Sequence, residues 1–281
     1  MLVDAETLEP ARDGFSRVFG EATERIKPEL FESFVEITTG VVETAEEAES
    51  ELRALRHGVA DRAAEHGLAV LATGSHPTAL GPVPIVPVER YRKLRAKLGP
   101  MLCRQRVCGL HVHVSVPAPD TCLRAFEGVV RQVPELLAAS ANSPFWDGAD
   151  SGWRSIRSQI LLEMPTGGTP PVLRSWDDWE AASRHDSTRR HWDAWPRPDY
   201  GTLEVRVMDQ PTSLWLTVEI ASEVQRLVQE AADFSGEPLD RDEYTALREL
   251  AAREGAGPEA ERQLELGPEE AVREIAALTL G

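Results

Sequence analysis

Apolar residues recur at helical spacing from Thr44 to Glu65-His66-Gly67, with Thr44 as N-cap, Glu46 and Glu47 in the first turn, and Gly67 as the stop. A strand is predicted directly afterwards, from Leu68 to Thr73. Pro87 opens a second helix over Val88 to Leu98, which Gly99-Pro100 ends. Alternation marks a strand from about Arg106 to Val116, an amphipathic pattern predicts a helix from about Thr121 to Ala139, and Ser140-Ala-Asn-Ser-Pro144 reads as a loop. A further strand, Thr202 to Met208, precedes a long helix from Leu214 to Ala232. Leu30 to Thr38 admits two readings, strand or helix, and the β-branched run Val35-Glu-Ile-Thr-Thr39 favours the strand. Turns at Glu254 to Glu259 and at Gly267-Pro268 separate short helices in the tail. The predicted class is α+β, without internal repeats or a low-complexity linker.

The strands carry the chemistry. Successive side chains point to opposite faces, so Leu110, Val112, Val114 and Val116 oppose His111, His113 and Ser115. On the later strand Leu203, Val205 and Val207 oppose Thr202, Glu204, Arg206 and Met208; on the early one Phe31, Ser33, Val35 and Ile37 oppose Glu32, Phe34, Glu36 and Thr38. If the three strands share a sheet, their polar faces make a surface of glutamate, histidine and arginine able to hold polyphosphate and Mg²⁺, or Mn²⁺ where imidazole joins the carboxylates. The alternative is that each is a half-solvated strand whose outer face is polar for no further reason.

Composition narrows the choice. With 281 residues, 42% apolar and 27% charged, the chain is long enough for one large domain or two small ones and is not compositionally disordered. A formal charge of -17 repels a phosphate backbone and excludes nucleic acid as a partner, while leaving room for a nucleotide with its metal ion. Cys103, Cys108 and Cys122 are too few and too irregular for a disulfide framework or a zinc site, and read as ordinary buried thiols. No apolar run approaches the roughly 20 residues of a membrane helix, and no basic-then-apolar segment opens the chain. A cytoplasmic protein without a membrane partner is expected.

Four segments, Cys108-Gly-Leu-His-Val-His-Val114, Leu137-Ala-Ala-Ser-Ala-Asn-Ser-Pro-Phe-Trp146, Ser155-Ile-Arg-Ser158 and Tyr200-Gly-Thr-Leu-Glu-Val-Arg-Val207, resemble in order and spacing glutamate-cysteine ligase family 2. Pro28-Glu-Leu30, Val35 to Gly40, Thr73-Gly-Ser-His-Pro77 and Glu89-Arg-Tyr91 fit the same pattern, so the likeness runs from about residue 2 to about residue 230. The resemblance implies a glutamine-synthetase-like fold, a curved antiparallel sheet with helices on its outer face, holding ATP and Mg²⁺. It implies a carboxylate-amine ligase: ATP phosphorylates a carboxylate, glutamate in the family's name, and an amine attacks the acyl phosphate. By the same resemblance Glu36, Glu204 and His111 match metal-binding positions, His111 and His113 the nucleotide face, and Arg157 and Arg206 arginines that contact phosphate or substrate carboxylate and serve catalysis. A planar, permanently charged fork suits that task. His76 is either a pocket-lining residue or part of a plain turn, and Trp192 and Trp195 read as packing at a sheet edge.

The chain departs from the family pattern in two places. Family members open on a Gly-Val-Glu-Glu-Glu-Phe strand just before a Leu-Val-Asp run, and this chain begins Met1-Leu-Val-Asp4, at that run. No counterpart is found for the family's later helix containing Asn-Arg. A shortened relative, or a start assigned downstream, is expected, with a ligase-like domain over 1–235 and a helical appendix over 236–281. A sheet edge left without its first strand would favour self-association. The rival function is a non-catalytic relative that binds nucleotide or a protein partner through the retained scaffold.

Overall fold

The computed structural model describes residues 1–79, 82–116, 118–164, 167–184 and 191–280. Its first third forms β1 (Leu2–Asp4), α1 (Gly14–Val18), β2 (Ile26–Pro28), β3 (Val35–Ile37), α2 (Ala45–Ala64), β4 (Leu68–Val70) and α3 (Glu89–Leu98). A 3-10 segment, Gly99–Arg104, leads to β5 (Val112–Ser115), α4 (Pro119–Val130), α5 (Val133–Ser140), β6 (Phe145–Trp146), β7 (Ala149–Asp150), α6 (Ile156–Leu162) and α7 (Trp176–Ser183). The remainder is β8 (Ala194–Arg197), β9 (Thr202–Val205), α8 (Leu214–Glu230), α9 (Arg241–Glu254), α10 (Pro258–Leu266) and α11 (Pro268–Leu278). The mixture of helix and strand is the predicted one. The strands lie in small antiparallel sheets ordered β1-β4, β2-β3, β5-β9-β8 and β6-β7.

Local chemistry accounts for the helix boundaries. The Thr44 side chain accepts the Glu47 N–H at 3.2 Å at the start of α2, and Gly67, at φ +68°, takes the left-handed turn that ends the segment. Ser213 caps α8 in the same way, accepting the Leu216 N–H at 3.2 Å. The predicted helix over 121–139 is two helices, α4 and α5. Pro134 is the reason: it lacks the N–H that a continuous helix would direct to residue 130, and its ring would press on that carbonyl. Placed at the start of α5, it sits where a helix tolerates proline.

The early strand is also shorter than predicted. Only Val35–Ile37 is extended, because Phe31 to Phe34 closes a turn with the Phe34 N–H donating to the Phe31 carbonyl at 2.9 Å. Glu32, expected beside Glu36, is instead buried and accepts from the Ser16 N–H at 3.0 Å and the Ser16 hydroxyl at 2.8 Å. As a result β3 pairs with β2, while β5 and β9 share a different sheet. The three ionisable strands therefore belong to two sheets.

The largest core cluster joins α4 and α5 (Phe126, Val130, Leu137) to β9 and its continuation (Leu203, Val205, Met208), to α8 (Val224, Val228) and to Tyr244 and Ala252 of α9. A second cluster gathers Val3, Phe31, Leu71 and Leu102 with Val272 and Ile275 of α11. Residues of 236–281 thus enter both. Arg56 of α2 secures the junction: it is 6% exposed and donates to the carbonyls of Pro211, Thr212 and Thr279 and to the Thr217 hydroxyl. Among the cysteines, all free, Cys122 is buried and the other two are partly so.

Candidate functional site

The sheet β5-β9-β8 aligns His113 with Glu204 and Glu204 with Trp195, although β5 and β9 lie far apart in sequence. Apolar neighbours fix which way the polar ones point. Val205 and Leu203 are fully buried in the main core, where α4 and α8 pack against the sheet, so the alternate residues of β5 and β9 are carried to the other side. Trp195 is 3% exposed and meets Trp192 at 4.2 Å between ring centroids, the packing role expected for both. Trp195 sits in β8, an edge strand, where Pro196 costs no ladder bond.

Glu204 is the centre of the polar face. Its side chain is 4% exposed, and its Oε2 accepts from Arg197 Nη1 at 2.7 Å. Its Oε1 lies 3.6 Å from Arg206 Nη1, 3.8 Å from His111 Nδ1 and 3.8 Å from His113 Nε2. Burial opposes ionisation of Glu204, but its neighbours, Arg206 before His113 and Arg197, outweigh it and hold the carboxyl below its usual range. The imidazoles move the other way. His111 keeps 40% side-chain exposure, yet the surrounding protein first, then Arg206 and Arg157, holds it well below the ordinary imidazole range. His113 is lowered by burial, with Glu204 opposing and Arg197 and Arg206 adding. His191 is lowered to about 4 by burial and then by Arg206 and Arg157. At neutral pH the cluster therefore holds a buried carboxylate, guanidiniums and uncharged imidazoles.

Arg157 occupies a different place from Arg206. Its side chain is 3% exposed, Nη1 donates to the Val207 carbonyl at 2.8 Å and Nη2 to the Arg206 carbonyl at 3.1 Å, and Asp209 Oδ1 lies 3.8 Å away. A Cβ on Gly109 would fall 2.0 Å from Arg157 Nη2, so only glycine lets β5's approach pass this guanidinium. Asp209 is fully buried and accepts from the Asn142 N–H, the Ser143 hydroxyl and the Ser155 hydroxyl at 2.9, 2.6 and 2.9 Å. A second buried pair holds the other side of the strand. Arg248 of α9 grips Asp193 with two bonds of 2.5 and 3.0 Å, Tyr244 donates to the same carboxylate at 2.5 Å, and the Asp193 carbonyl accepts the Arg206 N–H at 2.8 Å.

A family model describing glutamate-cysteine ligase family 2 matches residues 2–277. The chain belongs to that family. Relatives named "Putative glutamate–cysteine ligase 2", some with a further number, include one from Rubrobacter xylanophilus, 35% identical over 90% of this chain and 72% of its own length. Another from Herpetosiphon aurantiacus is 34% identical over 80% of this chain and 62% of its own, and one from Solibacter usitatus is 35% identical over 73% and 56%. The chain thus spans between about half and three quarters of the length of these ligase-family relatives.

Of the residues that the glutamate-cysteine ligase resemblance singles out, the fold brings His111, His113, Glu204 and Arg206 together and sets Arg157 behind them. Glu36, exposed on β3, lies across from Lys27 in the separate sheet, and its charge is still felt by His113. Beside it stands Glu29, raised from the ordinary carboxylate range by burial and by the Glu36 charge, and opposed by the Leu30 N–H and by Arg90 and Arg206. Among the described residues no three histidine, cysteine or acidic side chains converge closely enough to hold a metal ion. Mg²⁺ needs near-octahedral oxygen at about 2.1 Å, whereas both oxygens of Glu204 face nitrogen donors. The side chains as placed do not fit the metal.

Glu29, Arg197 and His191 were not singled out by sequence. Arg197 could have been found: Pro198-Asp-Tyr-Gly201, with Gly201 at φ +64°, is a turn signal between two strands, and the hairpin it implies sets Arg197 diagonally opposite Glu204. Glu29 falls within the Pro28-Glu-Leu30 match, but only the fold sets it beside Arg90 and Arg206.

His76 closes a turn. Its Nδ1 accepts the Ala79 N–H at 3.0 Å and the Thr78 N–H at 3.3 Å, while Nε2 donates to the Leu8 carbonyl at 2.8 Å, a pattern that only the neutral ring satisfies. Burial lowers it to about 4. The unfolded chain, with imidazoles near 6.5, therefore binds the extra proton between about 4 and 6.5, so stability is full above that window and falls as pH drops through it. The loss expected from His76 between pH 7.5 and pH 5 is about 2 kcal/mol. Urea unfolding at the two pH values should show His76→Gln losing less stability than wild type by about that amount. Parallel losses would remove the assignment.

Proposed function

We propose that this protein is an ATP-dependent carboxylate-amine ligase, acting in the cytoplasm where ATP is supplied, with glutamate as the carboxylate by analogy with its relatives. The sheet β5-β9-β8, backed by α4 and α8, is taken as part of a glutamine-synthetase-like curved sheet whose polar face binds the substrates. The observation that carries the reading is the Glu204 cluster, in which two partly exposed guanidiniums, Arg197 and Arg206, stand beside a buried carboxylate.

Such a cluster suits acyl phosphate chemistry. A substrate carboxylate oxygen attacks the γ-phosphorus of ATP and ADP leaves; an amine then attacks the acyl carbon, and phosphate leaves as the amide forms and a proton is released. Negative charge gathers on phosphoryl oxygens in the first step, and preorganised guanidiniums stabilise it best in a site with little water. Arg206 and Arg197 meet that charge. Arg157 keeps Arg206 in place through the carbonyls of residues 206 and 207. His111 and His113, uncharged, serve as hydrogen-bonding groups and leave the positive charge to the arginines. No step here is routed through a metal ion; Mg²⁺ accompanies the supplied nucleotide.

The direct test is ADP release in the presence of MgCl₂ and ATP, with a panel of amino-acid carboxylates crossed against amines including cysteine, and mass spectrometry of the product. Release that requires both a carboxylate and an amine, with the corresponding amide formed, is the expected outcome. A folded protein that releases no ADP with any pair would overturn the ligase reading.

A further inference from the structure

Tyr200 and Trp215 are the two most exposed aromatic side chains that the core leaves at the surface, and only Tyr200 borders the Glu204 cluster. It is 66% exposed at the tip of the β8–β9 hairpin, while the core clusters enclose most other aromatic rings. Its surroundings are not bland surface. The Arg197 guanidinium carbon lies 5.0 Å from the ring centroid, and His113 meets the ring edge-to-face at 5.9 Å and 88°. Arg197 is also the residue bonded to Glu204 at 2.7 Å. One apolar ring is thus held by two members of the polar cluster and still faces solvent over most of its area.

The turn explains how the ring is presented. The Tyr200 N–H donates to the Arg197 carbonyl at 3.0 Å and the Gly201 N–H to the Pro198 carbonyl at 3.2 Å, which fixes the backbone under the side chain. Gly201 at φ +64° then returns the chain into β9. A side chain needed only for the turn would not have to be aromatic, since backbone bonds and glycine make it. An aromatic ring fixed beside guanidiniums is the arrangement with which proteins hold a base next to its phosphates.

We propose that Tyr200 is the platform on which the base of the nucleotide stacks, with Arg197 joining that platform to the phosphate-binding guanidiniums. This rests on the ATP-dependent reading and adds to it a residue and a ligand class: a nucleoside triphosphate held at both ends, its base on Tyr200 and its phosphates at Arg197 and Arg206. Stacking uses the ring face that every base has, so the platform itself favours a base without choosing among purines.

The experiment compares two ligands, ATP and inorganic tripolyphosphate, both with MgCl₂, by isothermal titration calorimetry on wild type, Tyr200→Phe and Tyr200→Ala. Removing a stacking ring weakens binding by about tenfold or more. The expected result is that Tyr200→Ala loses that much for ATP and nothing for tripolyphosphate, while Tyr200→Phe keeps both. Equal weakening for the two ligands would show that the ring serves only to place Arg197, and unchanged ATP binding would show that it does not touch the base; either overturns the platform alone. Wild type that binds neither ligand would overturn the platform and the ATP-dependent reading together.

Discussion

Asp209→Ala should cost the protein a large share of its folding stability. The substitution strips partners from the Asn142 N–H and from the hydroxyls of Ser143 and Ser155, and it leaves the Arg157 guanidinium, 3% exposed, without the carboxylate 3.8 Å away. Removing one partner of a buried charge pair costs about 3–5 kcal/mol, against a total stability of about 5–15 kcal/mol for a typical domain. Burial pushes the Asp209 carboxyl up, with Arg157 and Ser143 opposing, so the site depends on those donors to keep its charge tolerable. Gly74 lies directly against the carboxyl that is lost, since a Cβ there would sit 2.8 Å from the Asp209 Cγ. Chemical denaturation of the variant should show a midpoint far below that of wild type. A shift worth less than about 1 kcal/mol would mean that the hub contributes little.

Arg206→Met should act on the reaction and spare the fold. Its guanidinium is about one fifth exposed beside Glu204, and its backbone N–H remains bonded to Asp193 whatever the side chain. Losing one charge aimed at a developing anion costs about 100- to 1,000-fold in turnover. The ADP-release assay measures this directly, and thermal unfolding should stay within a few degrees of wild type. Because Arg206 helps to hold His111 and His191 low, nuclear magnetic resonance titration should also find both imidazoles raised in the variant. Turnover within tenfold of wild type would remove Arg206 from the chemistry.

The parts of the fold that could be read from sequence are those written in neighbouring residues. Thr44, Gly67 and Ser213 mark helix ends by bonds within a turn, and alternation gives from period alone the face shared by His111 and His113 on one strand and by Glu204 and Arg206 on another. The pairing of those strands is not local. His113 meets Thr202 through a bond of 3.0 Å spanning 89 residues, and nothing in either strand names its partner. The same holds for Glu32, whose alternation with Glu36 suggested a shared face until the turn at Phe31 to Phe34 carried it to Ser16. Arg157 shows the limit for single residues. Its motif marks it as important, but only the carbonyls of Arg206 and Val207 show that it works from behind the site. Tyr244 and Arg248 look like ordinary positions on a polar helix and are buried against Asp193.

That last contact sets a timetable for synthesis. Asp193 precedes Arg248 by 55 residues, and Ala72 bonds through its N–H to the Thr279 hydroxyl, 207 residues later. Chains leave the ribosome from the N-terminus at about 5–20 residues per second, so the strands of the site emerge seconds before the groups that lock them. During that interval Asp193 has no guanidinium, and the apolar residues of β9 have no α9 to cover them. Until α9 has emerged, the apolar residues of β9 stay uncovered in the nascent chain, and the polar cluster gains its final support only once Arg248 reaches Asp193.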